Sequence, residues 1–184
     1  MIASAIRFMD QDRQKQTFLE SFDLYHEAIY RFCVIKTSDT ELARDFTQET
    51  FCRYWQALRS EREMENTRAF LYTIAQHLII DWYRKKKSVS LDALADLHFE
   101  PKDAHAVNAE EEAQYGEVRS AIGRLNHDHQ SVLILRYVEG LGPKDIAEIL
   151  GVSPNVVSVR IDRALKKVRQ LLHTDGSSGP KEAL

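Results

Sequence analysis

Glycine and proline are scarce in this chain, seven and four in 184 residues, and all four prolines (Pro101, Pro143, Pro154, Pro180) lie beyond residue 100. The first hundred residues therefore contain nothing that must interrupt a helix. Cysteine is limited to Cys33 and Cys52, which lack the paired spacing of a zinc site and exclude a disulfide framework. Both fall in apolar helical patterns, so buried, inert thiols are expected. No apolar run approaches the roughly 18 residues of a membrane span. The opening MIASAIRFMDQDRQKQ has no apolar block of signal-peptide length, so no membrane insertion and a cytoplasmic location are expected. There is no P-loop, G-x-G-x-x-G, nucleophile elbow or zinc-protease helix. No enzyme activity, cofactor or metal is expected. His127 and His129 flank Asp128, but a His-x-His step at a helix start points the two rings apart, so no metal pair is expected.

A net charge of −3 argues at first against nucleic acid. Its distribution reverses that impression. Between residues 88 and 117 eight acids face one base, Lys102, whereas between 118 and 173 nine Lys/Arg face five Asp/Glu. An acidic centre masks a basic C-terminal region, and local charge sets the field a phosphate backbone feels.

Hydrophobic spacing is helical throughout, and no strand-length alternation competes with it. Phe18, Phe22, Tyr25, Ile29 and Phe32 mark one amphipathic helix. Leu42, Phe46, Cys52, Tyr54, Trp55 and Leu58 mark a second, which Asp39 or Thr40 can cap. Asn66 or Thr67 can start a third, with Phe70, Leu71, Ile74, Ala75, Leu78 and Trp82 on its inner face and the basic run Arg84–Lys87 at its end. Periodicity is lost from 88 to about 108, apart from one short helical turn at 91–97, and returns at 109–124 and 128–138. The fold class predicted is all-α: two small helical modules joined by a flexible acidic linker. The boundaries are an N-terminal extension 1–16, a first module 17–87, a linker 88–114, a second module 115–173 and a polar tail 174–184.

The second module carries a helix-turn-helix pattern. Pro143 suits the first turn of a short helix, because its missing N–H would be unbonded there in any case. Ile146, Ala147 and Leu150 form the inner face, and Gly151 supplies the positive φ of the tight turn. Ser153 caps the next helix, about 153–172, with Pro154 in its first position. Val157, Ile161, Ala164, Leu165, Val168 and Leu172 give it a buried stripe. Asn155, Ser158, Arg160, Arg163, Lys166, Lys167 and Arg169 occupy the opposite face, with Asp162 the sole acid among them. Polar residues near the helix start that reach base edges, and bases that meet phosphates, suit the major groove.

Two stretches of the first module stand out. In LARDFTQETFCRYWQAL, Asp45, Gln48, Glu49 and Arg53 share a polar face beside Phe46, Trp55 and Leu58, which are expected to be buried. In TRAFLYTIAQHLIIDWYRKKKS, aromatics alternate with bases, an arrangement that can stack on unpaired nucleotides and hold their phosphates; on their own, Phe70, Leu71 and Trp82 read more simply as core.

These motifs (D-x-x-Q-E-T-F at Asp45–Phe51, A-F-L-Y-x-I-A at Ala69–Ala75, D-W-Y-R-K-K-K at Asp81–Lys87, I-A-E-I-L-G-V-S at Ile146–Ser153) resemble the sigma-70 superfamily. The first module looks like sigma domain two and the second like sigma domain four, in the short arrangement of the extracytoplasmic-function (ECF) group. The resemblance implies a factor that binds core RNA polymerase and directs promoter-specific initiation. It makes Asp45, Gln48, Glu49 and Arg53, supported by Phe51 and Phe46, contacts to the β′ clamp helices. Asn66, Arg68, Tyr72, His77, Asp81, Tyr83, Arg84, Lys85, Lys86 and Lys87 become candidates for opening and reading the −10 element of promoter DNA. Ser153, Pro154, Asn155, Val156, Ser158, Val159, Arg160, Arg163 and Lys167 become candidates for the −35 element, with the module's flank on the polymerase β flap. An anti-sigma factor is a further partner the resemblance suggests. The chain departs from the family pattern at His77, where asparagine is frequent, at Val156 and Ser158 in the recognition helix, and at His127 and His129. Two other readings remain open: a helix-turn-helix regulator acting without polymerase, and an interaction protein whose promoter contacts have decayed.

Overall fold

The computed structural model of the chain describes residues 2–60, 64–89, 116–118 and 120–175, and among these all regular structure is helical. In chain order the elements are α1 (Ile2–Thr37), α2 (Thr40–Arg59), α3 (Thr67–Val89), α4 (helical residues 116–118 and 120–123), α5 (His127–Leu133) followed by a π-helical turn (Ile134–Val138), α6 (Pro143–Leu150) and α7 (Pro154–Asp175). The chain divides into two compact units, one built on α1–α3 and the other on the C-terminal helices. This is the predicted all-α pair of modules. Helix α1 runs without interruption from Ile2 through the expected boundary at 16/17. The turn expected at 91–97 and most of the acidic linker lie outside the described residues.

The first unit is held by aromatic packing between α1 and α2. Phe18, Phe22, Phe51 and Tyr54 form one cluster, with Phe22 and Phe51 edge to face at 4.9 Å between ring centres and Phe18 stacked on Tyr54 at 6.0 Å. The Ser21 hydroxyl meets the Tyr54 hydroxyl at 2.8 Å inside this cluster, so the buried phenol is satisfied. Helix α1 ends with Ser38 in the left-handed region (φ 56°), its N–H donating to the Val34 carbonyl. The next residue caps α2: Asp39 accepts from the Leu42 N–H at 3.0 Å. Asn66 does the same for α3, accepting from the Ala69 N–H at 3.0 Å.

In the second unit every residue from Gln130 to Leu135 is buried. An amphipathic helix cannot hide six consecutive side chains, so α5 and its π-helical continuation form the central element of this unit. The expected helix 128–138 thus changes character at Ile134. The Glu139 N–H bonds back to the Ile134 carbonyl, and the Leu141 N–H to that of Leu135, with Gly140 at φ 68°. This wider turn leaves Tyr137 and Val138 exposed while Leu141 returns to the core. Gln130 explains a buried amide: its Nε2 donates to the Ile122 and Gly123 carbonyls at 3.1 and 3.0 Å, closing the end of α4.

Candidate functional site

Helix α6 is short, and its start and end are each set by one residue type. Asp145 accepts from the Gly142 N–H at 3.3 Å at the start. At the end Gly151 adopts φ 63° and the Val152 N–H reaches the Ala147 carbonyl at 3.0 Å, a Schellman closure that turns the chain sharply into α7. Ile146, Ala147 and Ile149 are buried, whereas Leu150, expected on the inner face, is half-buried. The Ser153 hydroxyl then accepts from the Val156 N–H at 3.4 Å, a long capping bond. Val157, Ile161, Ala164 and Val168 are the buried stripe of α7, flanked by half-buried Leu165 and Leu172.

The outward face of α7 presents Asn155, Val156, Ser158, Val159, Arg163, Lys166, Lys167 and Arg169, with Ser153 and Pro154 exposed at its start. Arg160 differs from the rest. It is half-buried and its guanidinium is paired with the Asp128 carboxylate of α5 at 3.1 Å, so the phosphate contact expected of it must compete with an internal partner. The pKa of His129, next to Asp128, lies below the ordinary histidine value. Burial depresses its pKa first, the positive charge of Lys167 next, with Arg160 and Arg163 acting in the same direction against Asp128. Its Nδ1 has no hydrogen-bond partner among the described residues.

Helix α3 separates its candidates onto two faces. His77, Asp81, Arg84 and Lys85 are exposed on one face, and Arg84 is tied to Asp81 at 3.1 Å. Tyr72 lies on the other and is fully buried, its ring edge to face with Phe32 at 5.4 Å, with the Arg68 guanidinium 5.9 Å from the ring centre. Tyr72 is a core residue, a correction to its expected role on DNA, because its ring has no open surface. Tyr83 is half-buried and its hydroxyl donates to the Lys36 carbonyl at 2.8 Å, while burial raises its pKa. Asn66 spends its carbonyl oxygen on the helix cap. Lys86 is exposed, 5.0 Å from the centre of the Trp82 ring, and the side chain of Lys87 lies outside the described residues. Trp82, read as core, is only half-buried, and its packing against Tyr83 at 4.7 Å makes an aromatic platform beside the bases.

Helix α2 buries Ala43, Thr47, Thr50, Phe51 and Tyr54. Phe51, expected as packing support beneath the polymerase contacts, is 3 % exposed and packs edge to face with Phe22 in the aromatic cluster. Phe46, Trp55 and Leu58, expected to be buried, are half-buried. Asp45, Gln48 and Arg53 are exposed and Glu49 half-buried, with the Arg53 guanidinium donating to Glu49 at 2.7 Å. One of the two acids of this face is thereby neutralised within the helix, and Asp45 is left exposed. Beside this face lies an open apolar groove of about 920 Å³ between α1 and α2, lined by Phe18, Leu19, Phe22, Phe51 and Trp55 and edged by Gln48 and Arg44. Cys52 also lines the groove and is exposed, contrary to the buried thiol expected. Cys33 is buried as expected, and burial pushes its thiol up to about 12.

Among the described residues no group of three or more His, Cys, Asp or Glu side chains is placed to hold a metal ion, and no helix is long and apolar enough to cross a membrane.

Comparison with known proteins bears on both units. Residues 22–89 match the family model described as Sigma-70 region 2, and residues 115–168 match Sigma-70, region 4. The chain is 30 % identical over 178 residues to the ECF RNA polymerase sigma factor SigW of Bacillus subtilis (strain 168), covering 89 % of this chain and 90 % of that one. It is 30 % identical over 152 residues to the RNA polymerase sigma factor SigZ of the same organism, covering 82 % and 84 %. Among solved structures, the sigma factor RpoE in complex with the anti-sigma factor NepR from Bartonella quintana has a TM-score of 0.70 at 24 % identity, covering 87 % of this chain and 99 % of that one. CnrH in complex with the cytosolic domain of CnrY has a TM-score of 0.67 at 22 % identity, covering 92 % and 97 %. With region 2 on α1–α3, region 4 on the helix-turn-helix and relatives of matching length, the chain belongs to the sigma-70 family, as an ECF RNA polymerase sigma factor.

Proposed function

We propose that this protein binds core RNA polymerase through the exposed face of α2 and recruits it to promoters that it reads at two separate places. Asp45, Gln48, Glu49 and Arg53 contact the β′ clamp helices, and the adjoining groove receives an apolar side chain from the same surface. His77, Asp81, Arg84, Lys85, Lys86 and Lys87, with Trp82 as a stacking platform, engage the −10 element as it opens into single strands. The outward face of α7 enters the major groove of the −35 element, and the flank of that unit meets the β flap. The protein makes and breaks no covalent bond itself; it acts in the cytoplasm, where polymerase supplies the chemistry. The sigma factor RpoE of Bartonella quintana, which shares this fold, was solved in complex with the anti-sigma factor NepR, and an anti-sigma factor is a partner we extend to this chain.

The observation that carries this reading is the basic, outward face of α7 behind a capped tight turn, in one chain with a second unit that matches region 2. A regulator needing only duplex DNA has no use for that second unit. The test is run-off transcription with core polymerase on promoters chosen by the holoenzyme from its own genome. Specific transcripts that depend on the protein are the expected result; their absence with every compatible core enzyme contradicts it.

A further inference from the structure

The outward face of α7 contains one residue of the wrong charge for a phosphate-binding surface. Asp162 is exposed, between Val159 and Lys166 along the ridge pointing away from the buried stripe Val157, Ile161, Ala164 and Val168. Among the described residues it makes no ion pair or hydrogen bond, although Lys166 stands one turn further on. It caps nothing, lying in the third turn of a helix that begins at Pro154. Aspartate is also among the poorer helix formers at an interior position. Nothing in the fold accounts for it.

Its neighbour Val159 is a branched apolar side chain 46 % exposed near the centre of the ridge, and Val156, 40 % exposed, is a second on the same outward face. Asn155, Val159 and Asp162 follow one another at steps of four and three, so they share one line along the helix and span about 10 Å at 1.5 Å per residue. That is about three base-pair steps at 3.4 Å each.

A carboxylate placed against DNA is repelled by phosphates and by every base-edge acceptor. Among base edges in the major groove, the exposed donors are the amino groups of cytosine and adenine. Adenine sets an acceptor, N7, beside its amino group, which a carboxylate meets unfavourably; cytosine offers N4–H₂ with no N7 on the same base. We infer that Asp162 is a specificity-determining residue of the upstream promoter element, accepting a hydrogen bond from the N4 amino group of a cytosine, with Val159 alongside it against the floor of the groove. The inference rests on the reading that α7 enters the −35 element. The acid weakens binding to DNA in general and rewards a single base, so it exchanges affinity for discrimination.

The test uses the full chain loaded on core polymerase, with promoters selected from a library randomised upstream of the start site, followed by measurement of every single-base change in the selected upstream element. The wild-type holoenzyme should prefer one C·G pair by about fivefold or more over the alternatives, the range of a good base contact. Asp162→Asn should move the preference at that one position toward adenine, the base whose N6 and N7 an asparagine amide matches, and leave the other positions unchanged. Asp162→Ala should flatten that position alone. If Asp162→Asn tightens binding to all sequences equally with an unchanged pattern of preference, the residue faces phosphate or solvent and the inference is overturned. If the wild-type holoenzyme selects no upstream element, the −35 reading itself fails, a result distinguishable because no position shows preference at all.

Discussion

Helices α2 and α7 are of similar length and share one design, a buried stripe opposite an exposed polar face. Their charge is handled differently. On α2 the acids are offset by bases within the same helix, and Glu49 is already paired with Arg53. On α7 the bases Arg163, Lys166, Lys167 and Arg169 are exposed, and among the described residues Arg160 alone is engaged by a carboxylate from another helix. A face of mixed, partly paired charge suits a protein partner, where orientation and shape select the contact. A face that is predominantly positive suits a polyanion, where counterion release supplies the affinity. The difference supports the proposed division of partners better than overall charge, which is negative.

The largest effects are expected at two buried aromatics of the first unit, Phe51 and Tyr72. Phe51→Ala and Tyr72→Ala should each lower the unfolding free energy of the first unit by about 3–5 kcal/mol, the cost of emptying a buried aromatic site. Urea denaturation reads this directly; a variant that keeps full stability and loses only polymerase or DNA binding would place the residue at the surface. Next in size, Asp45→Ala combined with Gln48→Ala should weaken core-polymerase binding by about tenfold while stability stays within about 0.5 kcal/mol. Equal loss of both would mean that α2 holds the unit together instead of facing a partner.

On α7, Arg163→Ala and Lys167→Ala should each weaken holoenzyme binding across sequences and lower the salt slope by about one. Arg160→Ala should lower it by less, because the Asp128 carboxylate already neutralises that guanidinium. A smaller effect comes from His129, whose pKa in the folded protein lies below its ordinary 6.5. The unfolded chain then binds the proton more tightly, so stability is fully present above that value and declines as pH falls through and below it. His129→Gln should remove this part of the pH dependence; a profile that is unchanged in the variant would show that another group titrates.

Much of the scaffold is legible in the sequence because its caps are local. Asp39, Asn66, Ser153 and Gly151 each fix a helix end through bonds within a few residues, and each stands where its residue type predicts. What the sequence concealed depends on contacts across the fold. Tyr72 and His77 both lie in an aromatic-rich helix, and only the neighbouring Phe32 shows which side faces inward. Cys52 follows a buried phenylalanine yet points into the groove, since one residue along a helix changes the face. The π-helical turn after Leu133 follows from the need to bury a continuous apolar run, which no 3.6-residue pattern signals. Trp82 was hidden by the same ambiguity, a large aromatic at a helical spacing that serves core and platform equally well.

On the proposed function, the basic face of α7 acts only when α2 has engaged polymerase. A gel shift on a selected promoter duplex, with the protein alone and with core polymerase added, tests it most directly. The predicted result is little retention by the protein alone and a stable complex with core polymerase, lost when Asp45 and Gln48 are replaced. Tight, sequence-specific retention by the protein alone, unaffected by polymerase or by those substitutions, would contradict it.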